Sequence, residues 1–275
     1  MASLVYHREG QGEPLLLLHG IGGRWQMWQP VLPLLVAERD VIAVDLPGYG
    51  ASEPLPPGTP PGIPAISDAL ERFLDELGLP TVHLGGNSLG GWLSLELARR
   101  GRARSVTGLS PAGFFNRREA AYAHRCLTSS VQMARRFAPH ADQLMATKAM
   151  RTLLLGQIFA RPWRIPAQVA ADDMRALAAS RAFDSDLAEA PHERFLPGPA
   201  LGVPVTIAWA QRDRLLLPRQ GPRAIRRIPG ARLITLPGCG HVPMWDDPPL
   251  VARVLLEGSR TSAAPVEAPA AVAAA

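Results

Sequence analysis

Thr81 to Gly101 reads TVHLGGNSLGGWLSLELARRG. A short apolar run, Val82-His83-Leu84, leads into a glycine-rich corner, and Trp92 to Arg100 follows with helical spacing. Ser88 stands at the corner, inside Gly86-Asn87-Ser88-Leu89-Gly90, which fits G-x-S-x-G. The spacing has a steric reason. A serine on so tight a strand-to-helix turn brings the two backbones close together. Only hydrogen side chains two positions before and two after leave room. Such a turn pushes the serine oxygen out at the tip of a sheet. The competing reading is a plain turn with a solvated serine, and the rest of the chain decides between them.

On the N-terminal side, Leu4 to Arg8 is a short strand. Pro14-Leu15-Leu16-Leu17-Leu18 is a continuous apolar run, as suits a strand buried on both faces, and it ends in His19-Gly20-Ile21-Gly22-Gly23. Trp25, Trp28, Val31, Leu32 and Leu35 have helical spacing, weakened by Pro30 and Pro33. Val41 to Val44 is a strand running into Asp45-Leu46-Pro47-Gly48-Tyr49-Gly50-Ala51-Ser52, and Glu53 to Pro64 reads as loop. Ser67 is placed to cap a helix carrying Leu70, Phe73, Leu74 and Leu77. Beyond the corner, Arg104 to Leu109 is a further strand.

This alternation predicts a mostly parallel sheet covered by helices on both faces. It stops at Phe114. Through about Leu201 the pattern is helical, punctuated by Pro139, Pro162 and Pro166, as a cap inserted over the sheet would be. Val203 to Trp209 resumes the strands, Pro218 to Ile228 is a helix, and Ala231 to Leu236 is the last strand. Asp247 caps a closing helix that starts with Pro248 and Pro249. The expected organisation is a core of residues 1–113 and 202–257, a helical cap over 114–201 and a disordered tail over 258–275.

Composition narrows the function classes. The chain has 275 residues, 47% apolar and 19% charged, enough for a sizeable core. Its net charge of +5 comes almost entirely from arginine, Lys148 being the one lysine. The arginines are scattered among acids without a basic and aromatic stripe, so nucleic acid is not an expected partner. The two cysteines, Cys126 and Cys239, are too few for a disulfide framework and have no metal-ligand spacing. Neither a metal nor any other cofactor is expected. No signal-peptide pattern or membrane-spanning run is present, which leads to the expectation of a cytoplasmic protein acting on a small molecule.

A serine hydroxyl needs a base within hydrogen-bond reach, and the base needs an orienting acid. Seven histidines are available. Parallel strands deliver their C-terminal ends to one edge, which favours His19 and His241. His241 follows Gly238 and Gly240 in a loop able to reach over the sheet and is the candidate base; His19 is read as a brace for the Gly20 turn. Asp213, just past the Val205–Trp209 strand, is the candidate acid, while Asp246 and Asp247 are read as helix-start residues. The backbone amides of Leu89 and Ile21 are the candidate oxyanion donors. Arg161 and Arg164 offer a substrate carboxylate contact or a structural role. Trp25, Trp28, Met133, Phe137 and Phe159 fit either a pocket lining or a core.

Taken together, LLLLHGIGG, DLPGYGAS, GGNSLGG, AQRD and GCGHVPMWDDP, in this order, strongly resemble the α/β-hydrolase superfamily. The resemblance implies the α/β-hydrolase fold with a slightly shortened sheet. It makes Asp45 a structural corner and Ser88, Asp213 and His241 the catalytic set. Haloalkane dehalogenases and epoxide hydrolases of this superfamily carry Asp at the nucleophile position, so Ser88 argues for carboxylic-ester hydrolysis. GGNSLGG is also similar to the C–C hydrolases of ring-cleavage products. Perhydrolase or haloperoxidase-like chemistry and a non-catalytic ligand-binding protein complete the alternatives.

Overall fold

The computed structural model describes residues 3–190 and 193–260. Seven strands form one sheet: β1 (Tyr6–Glu9), β2 (Glu13–Leu18), β3 (Arg39–Val44), β4 (Val82–Asn87), β5 (Ala103–Leu109), β6 (Val205–Ala210) and β7 (Arg232–Leu236). Their spatial order is β1-β3-β2-β4-β5-β6-β7. All neighbours pair in parallel except β1, which runs antiparallel to β3 at the edge.

The apolar runs explain why the sheet is buried on both sides. In β2, Leu16 and Leu18 join one core with Ile42, Leu84 and Ile207, while Leu15 and Leu17 join the opposite one with Val41 and Ala208. That is the two-residue period of a strand with no solvent face. The first core is covered by α2 (Ile63–Glu76), α3 (Leu89–Arg99) and α9 (Gly221–Arg227), the second by α1 (Leu32–Leu35) and α10 (Pro248–Gly258).

Between β5 and β6 no strand occurs among the described residues. Five α-helices fill the segment among the described residues: α4 (Arg117–Phe137), α5 (Ala141–Met145), α6 (Lys148–Leu155), α7 (Ala167–Ala179) and α8 (Phe183–Glu189). Ala134, Met145, Ile165, Ala171 and Met174 form a small core of their own there.

The insertion is tied to the sheet domain through Glu119. Asn116 and Glu119 close a reciprocal cap at the start of α4, and Glu119 also accepts from Arg219 (2.6 Å) and Arg223 (2.7 Å) on the far side of β6. Burial alone would raise the Glu119 pKa, but Arg223, the cap and Arg219 together hold it down at about 2. A folded-state pKa below the ordinary 4.5 adds stability that is complete above about pH 4.5 and fades as pH falls toward 2. Glu119→Gln is therefore expected to cost on the order of 2 kcal/mol at pH 7. Calorimetry at pH 7 and pH 3 checks this: the gap in Tm between variant and wild type should narrow at the lower pH.

Several sequence expectations need correction. The helix expected over Trp25–Leu35 is a 3-10 turn, Trp25–Trp28, and a separate short α1, because Pro30 and Pro33 interrupt it. Ser67 does not cap α2. That helix begins four residues earlier, at Ile63, with Pro64 in its first turn, and Ser67 is buried inside it. The expected tail starts too soon. Gly258 closes α10, and buried Ser259 accepts Arg39 Nε at 3.1 Å, so the packed chain reaches Arg260. Residues 261–275 of that expected tail, and His192, lie outside the described residues. Among the described residues no helix is long and apolar enough to cross a membrane.

Candidate active site

The strand order reverses between β2 and β4: the chain leaves β2 toward β3 on one side and leaves β4 toward β5 on the other. Loops diverging at such a point open a crevice at the carboxyl ends of the strands. Ser88 follows β4 there, and Ile21 follows β2.

The Ser88 corner is as crowded as its spacing demands. A Cβ on Gly86 would lie 2.1 Å from the Gly90 carbonyl oxygen, and one on Gly90 would lie 2.1 Å from that of Leu18. Ser88 itself has φ 56° and ψ −115°, a conformation costing about 1–3 kcal/mol. Three backbone bonds hold it: its N–H donates to Leu109 O at 3.0 Å, and its carbonyl accepts from Trp92 N (3.1 Å) and Ala112 N (2.9 Å). Its Oγ makes no hydrogen bond among the described residues.

His241 and Asp213 are brought together. His241 Nδ1 donates to Asp213 Oδ2 at 2.7 Å, and both residues are buried. The other carboxylate oxygen, Oδ1, accepts from Leu215 N (2.9 Å) and Leu216 N (2.7 Å), which fixes the carboxylate plane. In the neutral imidazole with Nδ1 donating, Nε2 is the nitrogen that carries the lone pair. His241 and Ser88 line the same cavity, but no hydrogen bond joins Ser88 Oγ to Nε2 in this structure. Such bonds are commonly long before a substrate is bound and tighten in its presence.

Ile21 and Leu89 line a cavity with Ser88, and neither backbone N–H is spent on another described residue. Leu89 is the first residue of α3, so its amide has no intrahelical acceptor and carries the positive end of the helix dipole. His19 braces the neighbouring loop. Its Nδ1 donates to Gly20 O at 2.7 Å, and Leu46 N donates to its Nε2 at 2.9 Å. Burial pushes the His19 pKa down, so it stays neutral. Asp45 is a corner clamp, accepting Trp25 N at 2.7 Å and Ala51 N at 2.9 Å.

Three features at the site were not legible beforehand. Asn87 Nδ2 donates to Leu109 O (3.0 Å) and to His241 O (2.9 Å), so the residue beside the serine also holds the histidine loop. Asp246 does not start α10; Asp247 alone caps it. Asp246 is fully buried and accepts Gly240 N, Ala160 N and Arg161 N, while its carbonyl takes Arg161 and Arg164. It fastens the histidine loop to the insertion, and the two arginines are structural. Arg24 lies on the cavity wall. Its Nε donates to Asp173 Oδ1 at 2.8 Å, and its terminal nitrogens are bonded to no described residue. Burial raises the Asp173 pKa, against the pull of Arg24.

Of the aromatic and Met candidates, Met133 and Phe159 line the cavity, Trp28 is core, Trp25 stacks on His7, and Phe137 is exposed. Cys126 and Cys239 are free thiols; burial raises the Cys239 pKa to about 12, which makes it a poor nucleophile.

The sequence pattern of the Alpha/beta hydrolase family matches residues 15–254. The chain belongs to this family. It is similar to the epoxide hydrolase EphH of Mycobacterium tuberculosis, 33% identical over 204 residues that cover 69% of this chain and 91% of that one. A stretch of 97 residues is 41% identical to the 2-hydroxy-6-oxo-2,4-heptadienoate hydrolase of Pseudomonas putida, covering 34% of this chain and 35% of the relative. A thermophilic esterase from Thermogutta terrifontis superposes with a TM-score of 0.70 at 22% identity, over 92% of each chain. The sheet and its flanking helices are the α/β-hydrolase fold, and the protein is a hydrolase of this superfamily.

Proposed function

We propose that the protein is a serine carboxylic-ester hydrolase in which Ser88 is the nucleophile, His241 the base and Asp213 the orienting acid. One observation carries the reading: His241 is held by Asp213 at 2.7 Å in the cavity that Ser88 enters with an uncommitted hydroxyl. The steps balance without any cofactor. His241 Nε2 takes the Ser88 proton as Oγ attacks the ester carbonyl, and the amides of Ile21 and Leu89 receive the negative oxygen. The intermediate collapses with His241 protonating the departing alcohol. A water, deprotonated by His241, then attacks the acyl-serine and releases the acid and free Ser88. The helices of residues 114–201 act as the cap over this site, and the occupant is a small molecule.

Epoxide opening, the activity named for the relative EphH, fits this chain poorly. A carboxylate that opens an epoxide forms an ester, which water can cleave. A serine would form an ether with no carbonyl for water to attack, and turnover would stop after one cycle. A second reading, C–C hydrolysis, has one observation in its favour: the free terminal nitrogens of Arg24 on the cavity wall offer a contact for a substrate carboxylate.

The test is turnover of p-nitrophenyl esters with stoichiometric trapping of Ser88 by a fluorophosphonate. Labelling at Ser88 together with ester turnover is the expected result. Turnover of a 2-hydroxy-6-oxo-dienoate that exceeds ester turnover, and that falls on Arg24→Ala, would transfer the assignment to C–C hydrolysis.

A further inference from the structure

Ser88 stands where two cavities meet. One lies between α2, α3, α4 and α8 and has a cavity volume of about 70 Å³; the other lies beneath α4 to α7 and has one of about 150 Å³. Ser88, Ile21, Leu127 and Leu215 border both. The remaining site residues are divided. Leu89 belongs to the smaller cavity and His241 to the larger.

We infer that the smaller cavity is the acyl site, the larger one is the leaving-alcohol site, and Ala123 of α4 sets the length of acyl chain accepted. This rests on the ester-hydrolase reading above and deepens it. The tetrahedral intermediate has four substituents on one carbon. Ser88 Oγ is one, and the oxyanion, directed at the Ile21 and Leu89 amides, is another. The departing oxygen must receive its proton from His241, so the alcohol lies on the histidine side, in the larger cavity. The acyl chain is left with the other opening.

The linings agree with that division. The acyl cavity is walled by Ile63, Ile66, Trp92 and Leu187, with Ala120 and Ala123 on one face of α4. Its carboxyl groups, Asp186 and Glu193, have their pKa values raised by burial, Asp186 to about 6. They accept from Tyr49 Oη and Ile63 N and bring no positive charge to the wall, so the cavity takes an uncharged aliphatic acyl group in preference to a monoester of a dicarboxylic acid. Ala123 is buried and lines the cavity, so a longer side chain there takes up acyl space.

Two ester series separate the cavities. The first holds p-nitrophenol constant and lengthens the acyl chain from acetate to decanoate. The second holds acetate constant and enlarges the alcohol from methyl to naphthyl. One or two methylene groups of lost space are worth about 10- to 200-fold in kcat/KM. Ala123→Phe is expected to lower the octanoate-to-acetate ratio of kcat/KM at least ~10-fold, with Ala123→Val intermediate, while the naphthyl-to-methyl ratio moves less than ~2-fold. Met133→Trp, in the larger cavity, is expected to do the reverse. Ala123→Val guards against a Phe variant that fails to fold. Ester turnover in which the Ala123 variants leave the acyl series unmoved, or move the alcohol series instead, overturns this assignment and leaves the ester-hydrolase reading standing. No ester turnover by the wild-type protein overturns both.

Discussion

Ser88→Ala is expected to lower kcat for p-nitrophenyl butyrate by about 10⁴- to 10⁶-fold, with KM changed little. In free-energy terms that is about 5–8 kcal/mol of barrier. The size follows from what the hydroxyl does in the proposed route. Without Oγ no acyl-enzyme forms, and water must attack the ester directly, helped only by the oxyanion donors and by binding. The same substitution should leave the fold intact. Ser88 Oγ makes no hydrogen bond among the described residues, so its loss orphans no partner. The strained corner is held by bonds to Leu109, Trp92 and Ala112 that involve the backbone alone. The melting temperature should stay equal or rise slightly, because nucleophile positions are commonly held at some expense of stability. Kinetics on purified protein and a parallel thermal melt check both halves. A variant keeping more than about a tenth of wild-type kcat would exclude a covalent role for Ser88.

The parts of this site that could be read in advance are those in which one local rule leaves few choices. Gly86 and Gly90 can be read because a Cβ at either would meet backbone 2.1 Å away, and no other side chain fits. The two-sided burial of Leu15 to Leu18 is written in four consecutive leucines. His19 could be placed as a brace because it ends a buried strand beside a glycine turn, whereas the corner role of Asp45 came only with the family resemblance. What could not be read depends on contacts between distant segments. Asp246 looks like a helix start because it lies two residues before Pro248, yet its carboxylate serves Ala160 and Arg161, some 85 residues away in the chain. Arg24 sits in a glycine-rich loop with no motif to announce Asp173 on α7 as its partner. The start of α2 was hidden for a different reason. Proline serves in loops and in first helical turns alike, so Pro64 reads as loop until Ile63 is seen to begin the helix. The insertion offered only a helical period, and a period names the faces of a helix but not the neighbours they meet.

Asp213→Asn separates a positioning carboxylate from an ordinary loop aspartate. Oδ1 accepts the N–H groups of Leu215 and Leu216, at 2.9 and 2.7 Å, and Oδ2 accepts from His241 Nδ1. In the asparagine variant the amide oxygen must stay with the two N–H groups, because an NH₂ facing them would leave three donors without an acceptor. The NH₂ is then directed at His241. It can only donate, so His241 Nδ1 becomes the acceptor and the imidazole proton moves to Nε2. The nitrogen that should take the Ser88 proton then has no lone pair. The expected result is a fall in kcat of about 10⁴-fold, with a melting temperature near wild type because every hydrogen bond at the site is still made. Fluorophosphonate labelling of Ser88 should slow in step with ester turnover, since both need the same deprotonation. A merely structural aspartate would show the opposite pattern, a lowered melting temperature with kcat within about tenfold of wild type. That outcome would remove Asp213 from the catalytic set while leaving the Ser88 prediction untouched.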